Sequence, residues 1–87
     1  MRVLIVEDEK DLANVLFEML ELEGYHTDIA NDGEYGLDCA MTGIYDLIIL
    51  DIMLPKLDGI AVLRKLRQKQ ISSAVLMLTA KSRSKTR

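Results

Sequence analysis

"YDLIILD", residues 45 to 51, is a near-continuous apolar run closed by a carboxylate. A strand with one wetted face alternates polar and apolar side chains, whereas a run this uniformly apolar belongs to a strand covered on both faces, as in parallel sheets flanked by helices. The sequence on either side supplies the partners. "RVLIVE" (Arg2 to Glu7) is another short run rich in β-branched residues, and Lys10 to Glu23 places Leu12, Val15, Leu16, Met19, Leu20 and Glu23 at helical spacing. Gly24 closes that helix as a C-terminal cap, and "YHTDIA" (Tyr25 to Ala30) alternates like a half-buried edge strand. "NDG" then turns the chain into a second helix, Glu34 to Thr42, with Leu37, Ala40 and Met41 on one stripe and Gly43 as its stop. Asp58-Gly59 opens a third helix carrying Ile60, Leu63 and Leu66, and "AVLMLTA" (Ala74 to Ala80) reads as a fourth strand. The order βαβαβαβ with right-handed crossovers gives an α/β fold: a doubly wound parallel sheet, strand order 2-1-3-4.

Composition sets the outer bounds. Eighty-seven residues make one small domain at most, with a core that is marginal unless something supports it. Eleven basic against fourteen acidic residues, a formal charge of -3, disfavour a nucleic-acid binder. The single cysteine, Cys39, excludes an internal disulfide framework, and no stretch has the length of a membrane span or the layout of a signal peptide. The expected compartment is the cytoplasm. Composition shifts after Ala80, where "KSRSKTR" has no apolar residue and a basic one at every second position. The expected division is therefore a domain over residues 1–80 and a basic tail over 81–87.

In doubly wound sheets ligands bind beyond the carboxyl ends of the strands, where strand order reverses. Strands 1 and 3 are neighbours at that point. Strand 1 ends in Glu7-Asp8 and strand 3 in Asp51, so three carboxylates converge with no compensating lysine or arginine in the adjoining sequence. Their repulsion should raise at least one pKa unless a cation sits between them. Oxygen-only ligands of high negative charge suit a hard divalent ion, Mg²⁺ above all. An incoming phosphoryl group could fill one of its open positions, with Asp51 placed as nucleophile and Thr79, at the end of strand 4, reaching the crevice with a hydroxyl.

"LIVEDE", "LIILDIMLPKLDG" and "VLMLTA", in this order and spacing, resemble the receiver domain of two-component response regulators, a CheY-like member of the flavodoxin-like folds, and in particular the kind attached to DNA-binding output domains. The resemblance covers residues 1 to about 80. It implies a phosphoacceptor module rather than an enzyme, with Asp51 taking a phosphoryl group from a phosphohistidine on a histidine kinase. It also implies Asp8 and Asp51 as direct Mg²⁺ ligands, Glu7 acting through water, the Met53 carbonyl as a further ligand, and Thr79 as a switch hydroxyl. Pro55, Asp58 and Gly59 match the loop after the acceptor. Family members continue into a further helix, a fifth strand ending in a lysine and a final helix; neither Lys81 nor Lys85 matches that lysine. The expectation is a receiver cut after its fourth strand, with phosphorylation impaired.

Other features read as structural. His26 on the edge strand faces solvent, Cys39 fills core space on the second helix, and "RKLRQK" (Arg64 to Lys69) is a solvated helix end favoured by the helix dipole. A nucleotide-binding domain is disfavoured because the first strand-helix turn, "VEDEKD", lacks the glycines that admit a pyrophosphate. The alternative to a phosphoacceptor is a catalytically silent fragment that self-associates as a homo-oligomer through the edge of strand 4, whose apolar sequence suits an interior position.

Overall fold

Strand β1 (Arg2–Val6) sits inside the sheet because both of its edges are paired. In the computed structural model, which describes residues 1–78, it lies parallel between β2 (His26–Ala30) and β3 (Leu47–Asp51), and β3 pairs in turn with β4 (Ala74–Leu78). The order β2-β1-β3-β4 is the one that the sequence predicts. Val6 lies opposite Ala30 on one side and Leu50 on the other, so the next residues along each strand, Glu7, Asn31 and Asp51, come level at one end of the sheet.

Helices α1 (Lys10–Leu22), α2 (Gly33–Ala40) and α3 (Gly59–Gln68) follow the first three strands in turn. Successive strand side chains point to opposite faces, which divides the core in two. Val3 and Ile5 cluster with Ala13 of α1, while Leu4 and Val6 cluster with Ala40 of α2 and with Val62 and Leu66 of α3. These four β1 side chains are fully buried, each contributing roughly 1.5–3 kcal/mol of transfer free energy.

The helix ends follow their residues. The Asp32 and Asp58 side chains accept from the third backbone amides beyond them, capping α2 and α3, and Gly24 and Gly43 leave α1 and α2 with positive φ. One expectation fails on α1. Val15 and Met19, predicted on its buried stripe, are more than half exposed, whereas Leu16, Phe17 and Leu20 pack against the core beside Ala13. Ala13, Leu16, Phe17 and Leu20 already form a complete i, i+3, i+4, i+7 face, and the only core cluster that α1 joins among the described residues is the one on its own face of the sheet. Met19 lies beside that face and Val15 on the far side of the helix, and among the described residues neither joins a core cluster.

At the end of the sheet away from Asp51, a polar tie joins β1 and β2 to the segments that lead into β3 and β4. The Tyr45 hydroxyl donates to Asp28 at 2.6 Å, Arg2 lies 3.7 Å from the same carboxylate and stacks over the Tyr45 ring, and the Ser73 hydroxyl donates to the Tyr45 carbonyl. Burial and the neighbouring Asp28 push the Tyr45 phenol above its usual range, so it remains a donor.

Candidate functional site

Glu7 and Asp8 leave β1 just as Asp51 ends β3, and the parallel register between the two strands puts all three at one crevice. Each offers a carboxylate oxygen within 4.8 Å of the other two. Glu7 and Asp51 are buried and Asp8 is exposed, so the group forms a pocket with one wet wall. One Glu7 oxygen, Oε2, accepts the Glu9 amide at 3.1 Å; the other, Oε1, is buried and receives no hydrogen bond among the described residues. Asp51 Oδ1 accepts the Met53 amide at 3.1 Å, which turns the chain sharply after the strand.

The third helix is fixed to the same point. Gly59, its first residue, donates to the Ile52 carbonyl at 2.9 Å, and a Cβ there would overlap the Asp51 carbonyl and come within 2.8 Å of Ile52 Cα. Only glycine lets α3 start this close to Asp51.

The electrostatics follow from this crowding. Burial pushes the Glu7 carboxyl up to about 7; the Glu9 amide opposes the shift, while the charge of Asp51, a hydrogen bond with its side chain that favours the protonated form, and the charge of Asp8 add to it. Among the described residues no basic side chain forms an ion pair with the three acids, and Lys56, the lysine of the loop after Asp51, pairs instead with Asp32 at 3.7 Å. A small, hard divalent ion suits this donor set. It would give the buried Glu7 Oε1 a positive charge to face.

The structure thus brings together Glu7, Asp8 and Asp51 from the sequence reading. Met53, exposed, follows through its amide contact to Asp51. Thr79 and the tail 81–87 lie outside the described residues. Cys39 packs against the core and His26 is exposed.

Two residues near the site carry no signal in the sequence. Asn31, read only as part of a turn, donates from Nδ2 to the Glu7 carbonyl at 2.9 Å. Lys56 adopts a positive φ of 71° in a three-residue turn closed by Leu57 N–H donating to the Pro55 carbonyl at 2.7 Å. Asn31 stands 24 positions from its partner, and no local pattern betrays such a contact.

Comparison with known proteins bears on the family. Residues 3–87 match the model of the response regulator receiver domain. The transcriptional regulatory protein DltR of Streptococcus agalactiae is 46% identical over 84 residues, 97% of this chain and 38% of that protein. The response regulator ArlR of Staphylococcus aureus is 49% identical over 81 residues, 93% of this chain and 36% of that protein. The chain therefore spans little more than a third of the length of these relatives. Among solved structures, the response regulator TrrA of Thermotoga maritima, in complex with Mg²⁺ and BeF, superposes with a TM-score of 0.84 at 38% identity, covering 98% of this chain and 76% of that one. A sequence match over nearly the whole chain and a shared sheet topology meet on the strands that carry the three acids, and the chain belongs to the response regulator receiver domain family.

Proposed function

We propose that this chain is a phosphoacceptor module of two-component signalling, in which Asp51 receives a phosphoryl group from the phosphohistidine of a histidine kinase while Mg²⁺ occupies the acidic crevice. The observation that carries the reading is the convergence of Glu7, Asp8 and Asp51 around a buried carboxylate oxygen that receives no hydrogen bond among the described residues. That TrrA, a structural neighbour, is found in complex with Mg²⁺ and BeF supports Mg²⁺ as the ion.

In the transfer, an Asp51 carboxylate oxygen forms the new bond to phosphorus as the bond from phosphorus to the donor nitrogen breaks, and the imidazole leaves with the electron pair. Mg²⁺, when bound, would neutralise charge on the transferring oxygens. Asp8 and Asp51 are its proposed direct ligands, with Glu7 acting through water and the Met53 carbonyl completing the protein's share. The Met53 amide on Oδ1 holds the Asp51 carboxylate in one orientation. Thr79 is proposed as the hydroxyl that approaches the bound phosphoryl group. The setting is a cytoplasmic regulator of transcription.

Incubation with acetyl phosphate and Mg²⁺ followed by intact-mass measurement tests this. The expected result is a single phosphoryl adduct that needs the metal and is missing in Asp51→Asn. An adduct that persists in Asp51→Asn, or none in the unaltered chain after long incubation, overturns it.

A second reading is self-association. Among the described residues β4 is paired only on its β3 side, carries no charged residue, and leaves Leu76 half exposed. A second copy adding its own β4 would cover both the apolar side chain and the free backbone groups.

A further inference from the structure

We infer that the turn between β2 and α2 is a bracket that sets the width of the acidic crevice, with Asn31 as a positioning residue that makes the site select a small divalent cation over a larger one. The inference rests on the proposed metal site and goes beyond it to the residues that fix its dimensions.

The turn has two arms. On one side the Asn31 amide donates to the carbonyl of Glu7, the residue at which β1 passes into the crevice, and so restrains the Glu7–Asp8 loop. On the other side the Gly33 amide donates to the Pro55 carbonyl at 3.2 Å, and Asp32 pairs with Lys56, which together hold the loop that follows Asp51. That second contact is close: a Cβ on Gly33 would overlap the Leu57 carbonyl. The Pro55 carbonyl is also the acceptor that closes the turn around Lys56, a lysine held at positive φ. Such a conformation is strained for a residue with a Cβ and persists where neighbours hold it.

Three consecutive residues therefore grip the stretch that carries Glu7 and Asp8 and the loop that follows Asp51, without offering a ligand themselves. The buried Glu7 oxygen that receives no hydrogen bond among the described residues points to an ion as the thing being gripped around. Mg²⁺ demands oxygen ligands at about 2.0–2.1 Å in near-octahedral order, while Ca²⁺ accepts 2.3–2.6 Å and irregular geometry. A crevice held at fixed width favours Mg²⁺. Loosening one arm should cost Mg²⁺ affinity and leave Ca²⁺ affinity nearly untouched.

The test is titration of the chain with Mg²⁺ and separately with Ca²⁺, followed by amide resonances around Asp8 and Asp51, in the unaltered protein, Asn31→Ala and Asn31→Asp. The expected result is a Kd for Mg²⁺ raised about 3- to 10-fold in both variants, the size of one net hydrogen bond, with Ca²⁺ changed less than about 2-fold. Asn31→Asp separates geometry from charge, because added negative charge alone would tighten both ions. An unchanged ratio of Mg²⁺ to Ca²⁺ affinity in Asn31→Ala, or tighter Mg²⁺ binding in Asn31→Asp, overturns the bracket. Should Asn31→Ala fail to fold, Asn31→Ser carries the same expectation. If the unaltered protein binds neither ion, the metal reading itself fails, and that outcome is distinct from a bound ion indifferent to Asn31.

Discussion

Glu7 is the residue at which the architecture and the chemistry conflict. Its carboxyl is buried against two other acids, and its proton is held to about pH 7 in the fold against 4.5 for an unperturbed glutamate. The folded chain binds that proton more tightly than the unfolded one, so this group's support for the fold is complete below pH 4.5 and is lost as pH rises through 7. A shift of this size corresponds to at most about 3 kcal/mol. Glu7→Gln cannot ionise. Without metal, its urea midpoint should match the parent's near pH 5 and exceed it at pH 8, and Mg²⁺ at pH 8 should close the gap. An equal gap at both pH values would show that the buried carboxyl is not the cause. At this scale the sequence was legible where chemistry sits at a strand end: Glu7, Asp8 and Asp51 stand out because acids close apolar runs. Asn31 and Lys56 were not, since their roles depend on which loop each meets across the crevice.

At the scale of elements, periodicity and caps locate every helix and strand within a few residues, because Asp32, Asp58, Gly24 and Gly43 are all at work where their chemistry places them. What periodicity misses is which flank of an apolar helix finds a partner. Val15 and Met19 have the right spacing to be buried and are not, because burial depends on the neighbours that the fold supplies. The two edge strands make a related contrast. The β2 edge carries His26 and Asp28, both exposed, and charged or polar edges resist further pairing, whereas β4 has no such residue. If β4 pairs with its copy, sedimentation equilibrium should show a dimer in the micromolar range. Leu76→Glu, at a position already half exposed in one chain, should return it to a folded monomer. A concentration-independent monomer in the unaltered chain would remove the reading.

For the whole molecule, the parallel topology could be read in advance because three short apolar runs and one alternating strand are interleaved with helical stretches and leave few other arrangements. The division of the core could not, since it depends on the phase of β1 against its neighbours. Residues Val3 to Val6 are bonded on both sides and have no exposed surface. Their amide protons can trade with solvent deuterium only when the entire sheet opens, so the rate at which they do so reports the free energy of the whole fold rather than of a local fluctuation. An ion that binds only the folded chain adds to that free energy by mass action, and at a hundredfold excess over its Kd the exchange of these amides should slow about 100-fold. Rates in β1 that ignore saturating Mg²⁺, with the acidic loops visibly perturbed, would contradict that link. The strand that ends just before Glu7 thus works as an internal gauge of occupancy, read at residues that offer the ion no ligand.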